Sequence, residues 1–253
     1  MTRKGLLTNA DDFGLCPEID GAIFRLARAG RIGGTSVLVN LIDENGLSLL
    51  GDFPPSVGIG VHASFTLGPF CGSPEETAGF LAPDGRPLKP STRFIEHARL
   101  DAVELELTRQ VEKALSLGLR LTHLDSHHHA HRRPDLMAMF ARVALRRGLA
   151  LRSIDSETRS IARGAGAPTS DHFIMEFYDD GATLSNLEML LSDLPSGVSE
   201  MMSHPAIEGP GLAATSGYVE GRYREYELLA SEEYGELLDR LGIELVGWDD
   251  ISR

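Results

Sequence analysis

Short apolar runs alternate with amphipathic stretches along this chain, and the alternation predicts strands separated by helices. Residues 5–10 read as a short buried strand that ends at Asp11-Asp12. Residues 17–29 read as a helix: Pro17 suits its first turn, Ile19, Ile23, Leu26 and Ala27 share one face, and Gly30 suits the stop. Strands are predicted at 35–40 (TSVLVN) and 57–65 (VGIGVHASF), the second carrying His62 near its end. Residues 101–117 are amphipathic, with Val103, Leu107, Val111, Ala114 and Leu115 on one face and Gly118 after them. A fourth strand at 119–124 leads into a histidine-rich segment, and a helix follows at 134–147 with Leu136, Met139, Phe140, Val143 and Ala144 inward. Further strands are expected at 150–154, 172–178, 197–202 and 243–247, with helices at 184–194 and 225–241 between the last three.

Strands alternating with helices predict an α/β fold with a mostly parallel sheet and helical crossovers. Two segments interrupt the pattern and read as loops: the Gly- and Pro-rich stretch 68–91, and the Ser-, Gly- and Ala-rich stretch 155–170. With no repeat and no low-complexity linker, one domain over residues 1–253 is expected.

The candidate chemistry falls at the ends of these strands. Asp11-Asp12, His62 and the segment THLDSHHHAH (122–131) each lie at or just past a strand's C-terminal end, and His204 in SEMMSHP follows another. In parallel α/β folds that edge is where active sites are built. Five of the nine histidines, His123, His127, His128, His129 and His131, fall in one stretch that also holds Asp125. Imidazole is the commonest metal-ligating side chain. Because strand neighbours alternate sides, one or two ligands is the expected yield of the cluster.

Composition narrows the classes. Forty-two per cent hydrophobic residues over 253 positions suffice for a sizeable core. A net charge of −13, from 37 acidic and 24 basic side chains, argues against nucleic acid or an anionic membrane as a constitutive partner. Cys16 and Cys71 form no CxxC pair, so a reducing cytoplasm is the expected location. No apolar run approaches the length of a membrane span. A homodimer is a base-rate expectation only.

Taken together, NADDFGL (9–15), GRIGGTSVLVN (30–40), GVHASFTLG (60–68), THLDSHHHAH (122–131), LALRS (149–153) and SEMMSHPA (199–206) resemble the YdjC-like carbohydrate deacetylase family. That family includes chitooligosaccharide and hopanoid-biosynthesis deacetylases, and DSHHHAH is closer to the former. The resemblance implies a distorted (β/α) barrel like that of polysaccharide deacetylases, and one divalent metal ion (Mg²⁺ or Zn²⁺) held by Asp12, His62 and His127. It implies Asp11 as general base. His204 is the candidate general acid and Arg152 a candidate support for the Asp11 carboxylate, while Asp125 could orient a ligand from behind. The expected reaction is removal of an N-acetyl group from an acetylated amino sugar or sugar-containing metabolite. Ala63 and Ser203 depart from the family's usual bulky residue and Cys at those positions, and with the 68–91 loop they bear on substrate choice.

Each residue also has a plainer reading. Asp11-Asp12 could cap the following helix, His62 could be a satisfied core histidine, Asp125 a turn cap and Arg152 a structural ion pair. Trp248 reads as packing, although an aromatic near a strand end could stack on a sugar ring. A metal-dependent phosphoesterase and a two-carboxylate glycosidase using Asp11 and Asp125 are the competing enzymes.

Overall fold

A computed structural model describes residues 4–88 and 92–251. Its strands are β1 (Lys4–Phe13), β2 (Gly34–Val37), β3 (Gly58–Ala63), β4 (Leu121–Ser126), β5 (Ala150–Leu151), β6 (His172–Ile174), β7 (Gly197–Ser203) and β8 (Glu244–Leu245). They follow the order β5-β4-β3-β2-β1-β7-β6, with β8 also paired to β1. The registers of β1 with β7 and β8, β3 with β4, β4 with β5, and β6 with β7 are all parallel. This is the expected α/β class, a distorted (β/α) barrel of mostly parallel strands.

The described residues cluster into two compact units, one comprising 4–36, Ile42–Gly58 and 170–251, the other 37–41, 59–88 and 92–169. In the first, β1 is buried along nearly its whole length, as a strand covered on both faces must be. The helix Pro17–Arg28 lays Ile19, Ile23, Leu26 and Ala27 into this core, as its periodicity predicts. Further helices span Glu44–Gly51, Leu184–Ser192, Glu220–Ala230 and Glu232–Leu241.

In the second unit the long helix Leu100–Ser116 buries Val103, Leu107, Val111 and Ala114. The helix Pro134–Arg147 matches its predicted bounds and ends on Gly148, whose left-handed conformation (φ 67°) suits a residue without Cβ. Gly60 answers a close approach instead: a Cβ there would meet the His123 ring at 2.2 Å. Aromatic packing around Phe65, in contact with Phe80, Phe94 and Phe140, fills the space behind the end of β3.

Several predicted elements differ. Stretch 155–170 is not all loop: Ser156–Gly164 is a helix, started by a capping box between Asp155 and Thr158. The predicted helix 225–241 is two helices, broken at Ser231, whose extended backbone and side chain cap the second one. Short helical turns at Pro74–Thr77 and Ala78–Phe80 occupy part of the 68–91 loop. Residues 89–91 of that loop lie outside the described residues. Among the described residues no helix is long and apolar enough to cross a membrane.

Candidate functional site

In the unit built on β3, β4 and β5, one row of side chains crosses three strands. Parallel register places His62 opposite Asp125, and Leu124 opposite Leu151, one residue before Arg152. Cross-strand partners in a parallel ladder project to the same face, so the three polar groups meet. His62 Nδ1 lies 2.8 Å from Asp125 Oδ1, and Arg152 Nη1 lies 2.9 Å from Asp125 Oδ2. Arg152 and Asp125 are fully buried and His62 is 2% exposed. Burial by itself would push the Asp125 carboxyl up, but the charges of Arg152 and His62 overcome it and hold the group well below the usual carboxylate range. Asp125 is therefore an ionised acceptor. It takes the Nδ1–H of His62 and leaves the ring's lone pair on Nε2, the atom a metal would use.

The strand ends at Ser126, and residues His127–Arg132 form a tight turn in which His128 (φ 57°) and His129 (φ 50°) are left-handed. Strand alternation therefore stops before His127. The half-buried His127 ring lies 5.4 Å from that of His62 and 3.8 Å from that of the exposed His128. His128 faces Thr66, with Nδ1 and Oγ1 3.0 Å apart. His131 turns inward, its Nδ1 2.6 Å from Ser126 Oγ. Burial, reinforced by Arg152 and His62, lowers its pKa to about 4, so it stays a neutral packing residue. The segment after His62 is tied down from behind. Gln110 brackets Ser64 at its backbone N–H and carbonyl, and Glu106 accepts the N–H groups of Cys71 and Gly72.

In the unit built on β1 and β7, Asp11 and Asp12 are both 1% exposed. Asp12 is left-handed (φ 71°), a conformation rare for a non-glycine residue and found mostly where surrounding structure enforces it. Arg222, from Glu220–Ala230, donates Nη2–H to Asp12 Oδ2 at 2.5 Å. Asp11 is held by Asn9, whose Nδ2 donates to Asp11 Oδ1 at 2.8 Å and to Ser36 Oγ at 2.7 Å. Asn9 is fixed in turn by the buried Trp248, which donates Nε1–H to Asn9 Oδ1 at 2.8 Å. Trp248 is thus packing, as expected, and also orients this amide.

His204, just past β7, brings Nε2 to 3.8 Å from Asp11 Oδ2. Its backbone N–H donates to Glu225, and Tyr218 donates its hydroxyl to the other Glu225 oxygen at 2.7 Å. Burial, with the Asp11 charge adding to it, pushes Glu225 up to about 8 against its hydrogen bonds and the nearby Arg222.

Asp12 in one unit offers a carboxylate oxygen, and His62 and His127 in the other offer imidazole nitrogens, donor types that a divalent metal ion takes. Asp125 is engaged by His62 and Arg152, the place of a support were His62 to ligate a metal. Arg152 pairs with Asp125, and Asn9 donates to Asp11. Three residues of this site had no place in the sequence reading: Arg222, Glu225 and Tyr218. The buried face of Glu220–Ala230 consists of Gly221, Arg222, Glu225 and Leu229. A mostly charged face carries no apolar period. The one available signal was the density of ionisable residues just upstream of the predicted helix.

The YdjC-like protein family matches residues 5–240. A carbohydrate deacetylase of Thermoanaerobacter pseudethanolicus is 32% identical over 230 residues, covering 91% of this chain and 92% of that protein. One from Vibrio parahaemolyticus is 33% identical over 254 residues, covering 94% and 92%. The crystal structure of an Enterococcus faecalis V583 protein, described as a proposed cellobiose-phosphate cleavage protein, is similar with a TM-score of 0.88 and 28% identity, covering 98% of both chains. A xylanase Xyl-CE4 domain from a termite hindgut metagenome, at TM-score 0.53 and 7% identity, shares the fold alone, covering 97% of this chain and 87% of its own. With the family match running almost end to end, this chain belongs to the YdjC-like family.

Proposed function

We propose that the chain is a metal-dependent carbohydrate deacetylase that removes an N-acetyl group from an acetylated amino sugar. The observation that carries this reading is the His62 ring, whose Nδ1 is taken up by the buried Asp125–Arg152 pair and which has the His127 ring 5.4 Å away, a pair of imidazoles to which Asp12 is the proposed third donor. Its context is a family whose similar members are carbohydrate deacetylases. We take residues 1–253 as one functional domain, since the family match extends through both units.

The donor set fits one divalent ion. Two imidazoles and a carboxylate suit zinc and related transition ions, and Mg²⁺ is the alternative. Three protein ligands leave open positions for water and substrate. A carboxylate behind a ligating imidazole, as Asp125 stands behind His62, is the support such ligands use. When bound, the ion polarises the amide carbonyl and lowers the pKa of a water molecule.

The chain's own residues supply the proton movements. Asp11 acts as the base, a role supported by the Asn9 donor that fixes its Oδ1 and by the His204 ring 3.8 Å from its Oδ2. It takes a proton from the water whose oxygen adds to the acyl carbon. His204 holds a proton at Nε2 and delivers it to the amine as the C–N bond breaks, so that acetate and a free amine leave. Arg222 pairs with the Asp12 carboxylate, and the Arg152 charge keeps Asp125 ionised.

The description of the Enterococcus faecalis protein names a phosphorylated disaccharide but not the bond that is cleaved, so the phosphoesterase and the two-carboxylate glycosidase stay as the alternatives. Two-metal phosphate chemistry needs more ligands than these three, and Asp125 is already engaged by His62 and Arg152. Acetate release from di-N-acetylchitobiose tests the proposal directly, assayed as purified, after chelation, and after adding back zinc or magnesium. Release that depends on metal supports it. Phosphate release from sugar phosphates without acetate release would replace it with the phosphoesterase.

A further inference from the structure

Next to His204 stands an aromatic pair whose two members are held very differently. Tyr218 is fixed: its hydroxyl donates to Glu225 at 2.7 Å and accepts the Asp179 N–H at 2.6 Å, and the Arg222 guanidinium lies 5.6 Å from its ring centroid. Tyr178 stacks on Tyr218 with centroids 4.3 Å apart and planes 20° apart. It also meets the His204 ring edge-on at 5.5 Å and 77°. Yet Tyr178 remains 42% exposed, and its hydroxyl has no hydrogen-bond partner among the described residues.

Tyr178 is also rigidly mounted. It follows the buried Phe177 and precedes a left-handed Asp179, and Asn186 braces the neighbouring backbone by donating to the carbonyls of Glu176 and Gly181. An exposed tyrosine normally keeps rotamer freedom that a ligand must remove, whereas this ring is already oriented by the stack beneath it. Pre-organised aromatic surface beside a reacting group binds flat, amphipathic ligands at low entropic cost. A pyranose ring is such a ligand, with an apolar C–H face for the aromatic plane and a rim of hydroxyls for a phenol.

We propose that Tyr178 is a specificity-determining residue on which a sugar ring of the substrate stacks, with Tyr218 as its backing and His204 beside it. The assignment rests on the deacetylase reading, and it adds that the protein recognises a pyranose ring and not merely an N-acetyl amide. Tyr178 takes no part in proton transfer. Its removal should therefore weaken binding while leaving the chemical step intact.

The experiment compares wild type with Tyr178→Phe, Tyr178→Leu and Tyr178→Ala. Each metal-loaded protein is assayed for acetate release from di-N-acetylchitobiose and titrated calorimetrically with the same sugar, and folding is checked by circular dichroism. The Leu variant keeps bulk at the position without an aromatic face. KM should rise about tenfold in both Leu and Ala variants with kcat within about threefold, while for Phe, which keeps the aromatic plane and loses only the hydroxyl contact, it rises by no more than about threefold. An unchanged KM in Leu and Ala overturns the inference. If wild type releases no acetate, the deacetylase reading fails separately. The calorimetry then decides: sugar binding that is lost in Leu and Ala upholds Tyr178 as a sugar platform, and sugar binding that is absent or unaffected overturns it.

Discussion

His62 hands its Nδ1–H to Asp125 across adjacent parallel strands at 2.8 Å, and the same carboxylate closes a fully buried ion pair with Arg152. Two adjacent strands, β3 and β4, and the residue just past a third, β5, thus form a row that fixes the orientation of a single imidazole. Breaking the row has two effects. Asp125→Asn leaves the Arg152 charge uncompensated in the interior, which costs about 3–5 kcal/mol when one partner of a buried pair is removed. It also loosens His62, and loss of such a support typically lowers metal affinity by about 10–100-fold. Urea unfolding and zinc titration of the variant read the two effects separately. A variant with wild-type stability and zinc affinity would show the row to be incidental.

Glu225 anchors His204 through its backbone N–H and anchors Tyr218 through its hydroxyl. Glu225→Ala removes both anchors, and kcat should fall about tenfold or more, since misplacement of a reacting group by about 1 Å costs on the order of 100-fold. Glu225→Gln keeps an acceptor for the His204 N–H and should retain most of the rate. Equal losses in Ala and Gln would assign the effect to charge instead of position.

A pH dependence of stability follows from Asp20. Burial, with the Asp43 charge adding to it, pushes this carboxyl up to about 7, against the hydrogen bond it accepts from the Gly14 N–H. The unfolded value is about 3.9. Between the two, the folded state holds the extra proton, so stability falls as pH rises from about 4 to about 7 and is flat from this group above that. Asp20→Asn keeps an oxygen for Gly14 and removes the titration. It should be more stable than wild type at pH 8, by up to about 4 kcal/mol at about 1.4 kcal/mol per pH unit over the roughly three units between the two values, and closer to wild type at pH 5. Identical unfolding midpoints at both pH values would contradict this.

Chain order, strand-end placement and several elements were legible from apolar periodicity alone. Helix Pro134–Arg147 matches its predicted bounds because a strong apolar stripe, an N-terminal proline and a C-terminal glycine all agree. Helix Ser156–Gly164 was not legible, because it buries only Thr158 and Ala162 and shows no apolar stripe. Ser231 broke a long predicted helix because its cap chemistry outweighs a continuous polar pattern. At the site, His62 and Asp125 could be seen as candidates from the sequence. Their contact depended on strand register, which sequence spacing does not fix. Arg222 and Glu225 stayed hidden because a buried charged helix face looks like a solvated one.

The central claim is that Asp12, His62 and His127 hold one metal ion on which deacetylation depends. The most direct measurement is metal content and acetate release from di-N-acetylchitobiose in wild type and in His62→Ala and His127→Ala. The account predicts one tightly bound divalent ion per wild-type chain, rates restored by that ion after chelation, and metal content and release both falling at least about 100-fold in the variants, the cost of losing on the order of 3 kcal/mol of transition-state stabilisation. Acetate release that survives full metal removal, or histidine variants that keep both metal and rate, would contradict it.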